Sequence, residues 1–358
     1  MIKQVKLKDV ATHSKGKQIN GDDLIENGTY DYLNGGINPS GKWNEYNTES
    51  DTVTISEGGN SSGYVNFMMN PFWCGAHCYY LYNLKIQPKY LYYALKSQEK
   101  RLMSLRTGAA MPNIKKSALS EFTFQIDDNS INRNQIVTIL DIVSNIILNK
   151  NQQLSEYDQL IKSRFVEMFE NKYEKIKVST KLRTTSGGTP KSDNSEFYSD
   201  GTIPWLTSGE VNQGRIEKTE KYITEKGLAN SSAKWIPKKS IVIAMYGATA
   251  GKVGIIEIPT TTNQAVCAVL PHDEYNPEYL RFAFEYISDE LAGKAVGGGQ
   301  PNISQTIIKD SLIFNPPLEV QREFSTFVKQ IDKLKFEVQK SLNETKVLFD
   351  SLMQKYFG

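Results

Sequence analysis

The chain of 358 residues is long enough for two domains of ordinary size, each burying a core of its own. Its formal net charge is +2, so no strong global field exists, and composition alone does not argue for nucleic-acid binding. Three cysteines without a disulfide spacing favour a reducing compartment. The N-terminus lacks the apolar region of a signal peptide, and no run approaches a membrane span, so we expect a cytoplasmic protein without a membrane contact.

The first half begins with a mixed region, predicted over residues 1–130. Short β-rich runs such as residues 51–56 are bounded there by glycine, asparagine and proline. A short helix fits residues 90–106, where apolar residues recur three and four apart. A long helix is predicted over residues 131–171, because neither proline nor glycine occurs between positions 136 and 169.

The second half follows the same plan. A mixed region is predicted over residues 172–318, with a β-rich run at residues 240–244 and a short helix over residues 277–295. A second long helix is predicted over residues 319–358. Neither long helix contains proline or glycine in its interior, and 34 residues of helix make a rod on the order of 50 Å.

The second half repeats the first. Residues 88–91 (PKYL) recur as residues 277–280 (PEYL), and residues 136–169 lie without a gap on residues 324–357. This period far exceeds the roughly 20–50 residues of a solenoid repeat and indicates a duplicated domain. Two copies with similar scaffolds and different surface residues suggest one task carried out on two different targets.

Both long helices carry an apolar stripe that advances alternately by three and four residues, which is typical of a coiled-coil seam. The stripe of the first helix is Leu140, Val143, Ile147, Lys150, Leu154, Tyr157, Ile161, Arg164 and Met168. That of the second helix is Val328, Ile331, Lys335, Val338, Leu342, Thr345, Phe349, Leu352 and Tyr356. Polar residues interrupt the two stripes at different levels, which favours antiparallel pairing of the helices with each other. Separate packing of each helix on its own domain is the alternative.

Three local patterns resemble sites of known chemistry, but each lacks an essential part. Residues 247–253 (GATAGKV) have one residue too few between the glycines for a phosphate-binding loop, so we interpret them as a tight turn. Cys74, His77 and Cys78 are too few for a zinc site, and buried strand cysteines are favoured. Residues 315–318 (NPPL) lack the aromatic residue of the amino-methyltransferase motif, and the double proline is predicted to end a strand before the long helix. We expect no catalytic, cofactor-binding or metal-binding residue.

Six short motifs occur in a fixed order along the second half: residues 187–190 (GGTP), 203–208 (IPWLTS), 231–237 (SSAKWIP), 251–253 (GKV), 300–304 (QPNIS) and 316–321 (PPLEVQ). With these motifs, the duplication and the two long helices, the whole chain resembles the specificity subunits of type I restriction-modification systems. The first half departs from the pattern, because it lacks the opening GGTP motif. Such divergence between halves is what two different half-sites require.

The resemblance implies an α+β fold in which two pseudo-symmetric mixed α/β target-recognition domains are joined and separated by two long antiparallel coiled-coil helices. It implies a bipartite double-stranded DNA target, with one half-site read by each domain across a spacer. The implied partners are two modification (methyltransferase) subunits, which dock on the helices, and restriction (motor and nuclease) subunits in the full complex. S-adenosylmethionine is expected in the methyltransferase subunits, which methylate adenine, and not in this chain.

Within each domain, DNA contacts are expected on loops of polar, basic and aromatic residues, where Lys and Arg hold phosphates and amide or hydroxyl groups read base edges. In the first domain the candidates are Lys15, Lys17, Gln18, Asn34, Asn60, Ser61, Tyr64, Arg106, Thr107 and Asn113. In the second they are Ser186, Thr189, Lys191, Thr207, Ser208, Tyr246, Thr249, Lys252, Gln300 and Asn302. A solvated loop residue is the alternative at each position.

Two other functions remain open, a scaffold that binds only proteins and a stand-alone nuclease. Salt-sensitive DNA binding would argue against the scaffold, and metal-dependent cleavage by the isolated chain would reveal a nuclease.

Overall fold

The computed structural model describes residues 2–108, 112–295 and 302–358, and the chain divides into two compact units. Unit 1 comprises residues 1–152 and 339–358, whereas unit 2 comprises residues 153–338. Both long helices therefore contribute residues to both units. The division into the four segments predicted from the sequence stays a prediction, since the units combine parts of these segments.

Along the described residues, runs of consecutive strands are separated by short helices and by the long helix between the two halves. The strands are β1 (Ile2–Lys6), β2 (Thr12–Lys15), β3 (Tyr30–Leu33), β4 (Gly41–Trp43), β5 (Thr52–Ser56), β6 (Val65–Met68), β7 (Phe72–Cys74), β8 (Cys78–Tyr82), β9 (Thr123–Asp127), β10 (Lys175–Lys177), β11 (Thr184–Ser186), β12 (Ile203–Leu206), β13 (Arg215–Ile216), β14 (Lys221–Ile223), β15 (Trp235–Ile236), β16 (Ile241–Ala244), β17 (Val253–Ile256), β18 (Thr260–Thr262), β19 (Val266–Val269) and β20 (Leu312–Phe314). The helices are α1 (Leu7–Val10), α2 (Pro88–Ser97), α3 (Glu99–Met103), α4 (Lys116–Ser120), α5 (Ser130–Phe169), α6 (Val178–Lys181), α7 (Glu225–Ala229), α8 (Pro277–Tyr286), α9 (Ser288–Gly293), α10 (Gln305–Asp310) and α11 (Leu318–Phe357). Short 3-10 turns occupy Gly21–Asp23, Ser195–Phe197, Ser208–Gln213 and Gly247–Thr249.

Unit 1 is built on an antiparallel sheet of order β2-β8-β5-β6. A second sheet has the order β4-β3-β7, in which β3 and β7 run parallel, and β1 pairs with β9. All five residues of β5 are buried. Four of its five residues, in the sequence TVTIS, are β-branched, which suits a strand that packs on both faces.

Unit 2 reproduces this arrangement, as the internal repeat predicts. Its larger sheet has the order β11-β19-β16-β17-β13, and its second sheet has the order β14-β12-β18-β15, with β12 and β18 parallel. Strand β10 pairs with β20, as β1 does with β9. The strands β13 and β15 extend the sheets beyond those of unit 1. The internal repeat of the sequence therefore corresponds to a repeated strand topology.

The two short helices predicted from the sequence are each interrupted. Residues 90–106 were expected as one helix, but α2 and α3 are separated at Gln98, whose φ of −100° and ψ of 13° leave helical geometry. Likewise α8 and α9 are separated at Ile287, with φ −97° and ψ 6°. The apolar spacing continues across both breaks, which is why the pattern alone indicates one helix.

The long helices α5 and α11 have 40 residues each, or about 60 Å of helix. Every position of the two predicted stripes is buried or half-buried, whereas most of the positions between them are exposed. In unit 1, Leu140 of α5 and Phe357 of α11 belong to one core. In unit 2, Phe165 of α5 and Phe324 of α11 do the same, with ring centroids 5.5 Å apart. Separate packing of each helix on its own domain is therefore wrong.

Polar residues in the stripes find partners on the opposite helix, and these partners establish the direction of pairing. In unit 2, Lys335 forms an ion pair with Asp158, and Arg164 forms one with Glu323 at 3.4 Å. Residue numbers rise along α5 as they fall along α11, so the helices are antiparallel. In unit 1, the Lys150 ammonium donates to the Ser341 hydroxyl. The predicted antiparallel pair is confirmed.

Other local predictions also agree with the structure. Strand β20 ends at Phe314 and α11 begins at Leu318, so the two prolines between them separate strand from helix. Cys74, Cys78 and Cys267 are buried in strands β7, β8 and β19. Within the described ranges, none of the helices combines the length and apolar character that crossing a membrane requires.

Candidate nucleic-acid interface

A cleft of about 390 Å³ lies at one edge of the main sheet of unit 1. Strand β2 ends there and β8 begins there, because the two are antiparallel neighbours, and β5 ends at the same edge. Three of the residues predicted to bind DNA, Lys15, Asn34 and Asn113, line this cleft. Glu57 and His77, which were not among the predicted DNA-binding residues, line it with them.

The carboxylate of Glu57 is the centre of the cleft. One oxygen accepts a hydrogen bond from the Lys15 ammonium at 2.7 Å, and the other lies 3.2 Å from His77 Nδ1. The Glu57 side chain is 11% exposed, whereas those of Lys15 and His77 are 43% and 61% exposed. A buried carboxylate thus holds two exposed donor side chains, which satisfies its charge away from water.

Tyr79 forms the floor beneath Lys15. The ammonium lies 5.5 Å from the centre of the Tyr79 ring, and the phenol donates to the backbone oxygen of Ile114 at 3.0 Å. Burial, with the nearby Glu57 carboxylate, raises the pKa of Tyr79 to about 12. The phenol is therefore neutral at physiological pH, and its ring offers a favourable face to the cation.

The remaining candidates of unit 1 fall into two groups. Lys17, Gln18 and Asn60 have exposed side chains near the cleft loops, as the sequence suggests. Arg106 instead donates to the backbone oxygens of Ser62 and Asn60, at 2.8 and 3.1 Å, so its guanidinium holds a loop in place.

Three further candidates of unit 1 also make internal contacts. Ser61 donates to the backbone of Gly35 at 2.7 Å. The ring of Tyr64 lies under the ammonium of Lys96, 3.7 Å from the ring centre. Thr107 pairs with Asn113 through two backbone hydrogen bonds of 2.8 and 2.9 Å. These residues shape the loops around the cleft.

A cleft of about 490 Å³ occupies the matching edge of unit 2. Ser186, Tyr246 and Asn302 line it, all three of them predicted to bind DNA, together with Met245 and Gln264. Asn302 and Tyr246 form an isolated β-bridge, as Asn113 does with Gly58 in unit 1. Gln300 lies outside the described residues.

The backbone around the two clefts is the same, which identifies equivalent positions. The amide of Glu57 donates to the His77 oxygen at 2.8 Å, and the amide of Met245 donates to the Ala265 oxygen at 2.8 Å. Lys15 ends β2 in unit 1, and Ser186 ends β11 in unit 2. The lysine, glutamate and histidine of unit 1 are therefore replaced by serine, methionine and alanine in unit 2.

Other candidates of unit 2 lie away from this cleft or are engaged internally. Thr189 lines a second cavity with Trp205 and donates to the side chain of Gln264. Thr207 donates through its amide and its hydroxyl to Glu210, both at 2.8 Å, as a helical cap. Lys191 is exposed.

The turn around Gly247 is tight, as expected, with a φ of +76°. Thr249 donates to the backbone oxygen of Ser208 at 3.2 Å. Lys252 lies in a different cavity of about 380 Å³, next to α5 and α8, where burial raises the pKa of Glu285. Thr249 and Lys252 were both predicted to bind DNA, but only Lys252 lines this cavity, and its amide donates to the Thr249 backbone oxygen at 2.9 Å.

The sequence of the chain matches a family model described as "Type I restriction modification DNA specificity domain" over residues 2–156 and 178–345. The chain belongs to this family. Curated relatives of the chain are also named as specificity subunits. A putative type I specificity subunit of Mycoplasma genitalium is 25% identical over 96% of this chain and 90% of its own length. The EcoR124I/EcoR124II specificity subunit of Escherichia coli is 31% identical, over 41% of this chain and 37% of its own.

Solved structures agree with the specificity-subunit fold. The crystal structure of a type I restriction-modification S subunit from M. genitalium superimposes with a TM-score of 0.62 at 22% identity, over 100% of this chain and 96% of the other. A chain from a structure on complex assembly and conformational transition of a type I system gives 0.61 at 13% identity, over 99% and 97%. Both of these chains share the α+β architecture described above.

Proposed function

We propose that this specificity subunit selects a bipartite double-stranded DNA sequence, with one half-site read at the cleft of each unit. The observation that carries the proposal is the pair of clefts, which have the same backbone hydrogen bonds but different side chains. DNA sequence is read by donors and acceptors that face base edges, so a shared framework with a different lining reads different bases. Two unlike half-sites are the expected result.

The chain is proposed to recognise DNA without catalysing a reaction itself. Its curated relatives are named as specificity subunits, which supports this division of labour. Two modification subunits would then bind S-adenosylmethionine and methylate adenine, and restriction subunits would complete the assembly. Base methylation requires the target base to leave the duplex, and the methyltransferase pocket would receive it.

We propose that the modification subunits bind the exposed faces of the long helices. In unit 1, Ile139, Ile142 and Ile146 of α5 are 38, 55 and 39% exposed, although all three are large and apolar. Their spacing of three and four residues places them on one face, and none belongs to the seam with α11. An apolar face exposed on a helix is typical of a protein-binding surface.

A domain exchange tests the proposed function. Replacing residues 1–130 with the matching part of a relative that has a different target should change one half of the methylated sequence only. The other half should persist, because unit 2 is unaltered in its cleft. Mapping methylated adenines in cells that carry the exchanged chain measures this directly. A change in both halves, or in neither, would show that the units do not read separate half-sites.

A further inference from the structure

The cleft of unit 1 contains a charge arrangement that the described residues of the matching cleft in unit 2 lack. Glu57 is anchored below the surface, with Lys15 and His77 attached to its two oxygens. An ammonium has three donor hydrogens, and Glu57 takes one of those of Lys15. Donor capacity therefore remains on an ammonium whose position is held by a buried carboxylate and the ring of Tyr79.

We propose that Lys15 reads a guanine in the major groove, with Glu57 as the residue that positions it. Guanine presents two adjacent acceptors there, O6 and N7, and a lysine ammonium is one of their common partners. Lys15 is 43% exposed in the cleft, whereas Glu57 is 11% exposed, so the lysine is the member of the pair that can reach a base. This assignment rests on the proposed DNA-recognition function.

The charges of the pair favour a base contact over a phosphate contact. Attraction to phosphates depends on unneutralised positive charge, because binding releases counterions in proportion to the phosphates neutralised. At Lys15, the positive charge is balanced by Glu57 at 2.7 Å. The net attraction to the DNA backbone is accordingly weakened, while the directional hydrogen-bond donors remain. Such a group discriminates between bases better than it holds a phosphate.

The unit 2 cleft has Ser186 at the position of Lys15 and Met245 at the position of Glu57. Neither side chain carries a charge, and methionine cannot anchor a lysine. A guanine read through an anchored lysine is thus specific to the half-site of unit 1. The two half-sites are predicted to differ at the base pair that faces this strand end.

The test uses the complete complex with its modification subunits and a duplex carrying the target found by methylation mapping. Each base pair of the unit 1 half-site is replaced in turn, and the affinities are compared. The unaltered protein should lose about 5- to 150-fold in affinity on replacement of one G·C pair. Lys15→Ala should bind the original and that replaced site equally, and keep its preferences elsewhere. Lys15→Arg should retain the guanine preference, and Glu57→Gln should reduce it.

Lys17→Ala is the matched control, because Lys17 is an exposed lysine two positions further on. Lys17→Ala is expected to behave as the loss of a phosphate contact, which weakens binding to all sites about equally and lowers the salt dependence of binding. If Lys15→Ala behaves in this way too, or relaxes specificity at an A·T pair, the guanine assignment is wrong. Unchanged discrimination by Lys15→Ala would also overturn it, and loss through Glu57→Gln alone would identify the carboxylate as the reader.

A second measurement does not depend on the folding of any variant. Replacing the assigned guanine with 7-deazaguanine removes its N7 acceptor and leaves its pairing intact. The unaltered complex should bind this duplex several-fold more weakly, whereas equal binding at every guanine of the half-site would contradict the proposal. If the unaltered complex shows no sequence preference at all, the proposed function itself fails, and this outcome is distinct from the other two.

Discussion

Lys15 and Ser186 end equivalent strands, and the sheets that carry them pair in the same way despite the difference in side chain. Strand pairing is made by backbone amides and carbonyls, so it tolerates a change of side chain at an exposed strand end. The backbone framework of the cleft can therefore stay the same while the side chain at an exposed strand end differs between the two units.

Asn276 and Gln87 occupy equivalent positions before α8 and α2, but they differ in structural role. The Asn276 side chain caps α8 by accepting hydrogen bonds from the amides of Glu278 and Tyr279, at 2.9 and 3.2 Å. Gln87, at the equivalent position before α2, makes no side-chain cap bond. Asn276→Ala should lower the free energy of unfolding by about 1 kcal/mol, and Gln87→Ala by clearly less. Urea denaturation of both variants measures the difference, and equal losses would contradict it.

The three cysteines should be inert in the folded protein. Burial raises the pKa of the Cys267 thiol to about 12, and the pKa of Cys74 is raised by its hydrogen bond with Cys78 and by burial. The thiolate is the reactive form, so iodoacetamide at pH 8 should label none of them in the native chain. Mass spectrometry should find all three labelled in urea. Rapid native labelling would show that these strands open readily.

Sequence patterns identified part of the cleft. Lys15, Asn34 and Asn113 were predicted because polar residues at strand ends and in glycine-rich loops are frequent contacts. Glu57 and His77 were not predicted to read DNA, since their role depends on contacts 42 and 20 residues apart in the chain. The buried position of Glu57 follows from packing around β5, which no local pattern encodes. A charged residue directly after a β-branched strand sequence such as TVTIS is the signal that could have indicated it.

At the scale of elements, the long helices were the most predictable part of the molecule. A 3-4 stripe depends only on the pitch of the helix, so the seam positions could be located from the sequence alone. The extent of each core was less predictable. Phe357, the final helical residue, packs against Tyr90 of unit 1 with ring centroids 5.3 Å apart. Contacts between such distant parts of a chain follow from the tertiary fold.

The exposed face of α5 makes a prediction about assembly. Ile142→Asp places a charge in the proposed docking surface and should weaken association with the modification subunit at least tenfold, by desolvation of the carboxylate. Asn151→Asp is the matched control and should have little effect, because Asn151 is exposed on the same helix but is not spaced three or four residues from any of the three isoleucines of the docking surface. Co-purification and titration by calorimetry measure both. Full association of Ile142→Asp would exclude this face from the interface.

For the whole molecule, the length of the paired helices is expected to determine the spacer between the half-sites. Inserting seven residues after Gln152 in α5 and seven after Val338 in α11 preserves both stripes, because seven residues complete one heptad. The insertion adds about 10 Å, which equals three base-pair steps of about 3.4 Å. Methylation mapping should find both half-site sequences unchanged and the spacer about three base pairs longer. An unchanged spacer in an active complex would exclude the helices as its determinant.

The composition of unit 1 from residues 1–152 and 339–358 has a consequence for synthesis of the protein. Ribosomes add roughly 5–20 residues per second, so the time from Gln153 to Gly358 is about 10 to 40 s. During that interval the N-terminal unit lacks Met353 and Phe357 of its core. Unit 2 is continuous and is complete once Val338 has been made. The unit synthesised first is therefore the last to finish folding, and truncation before Met353 would remove core residues from that unit.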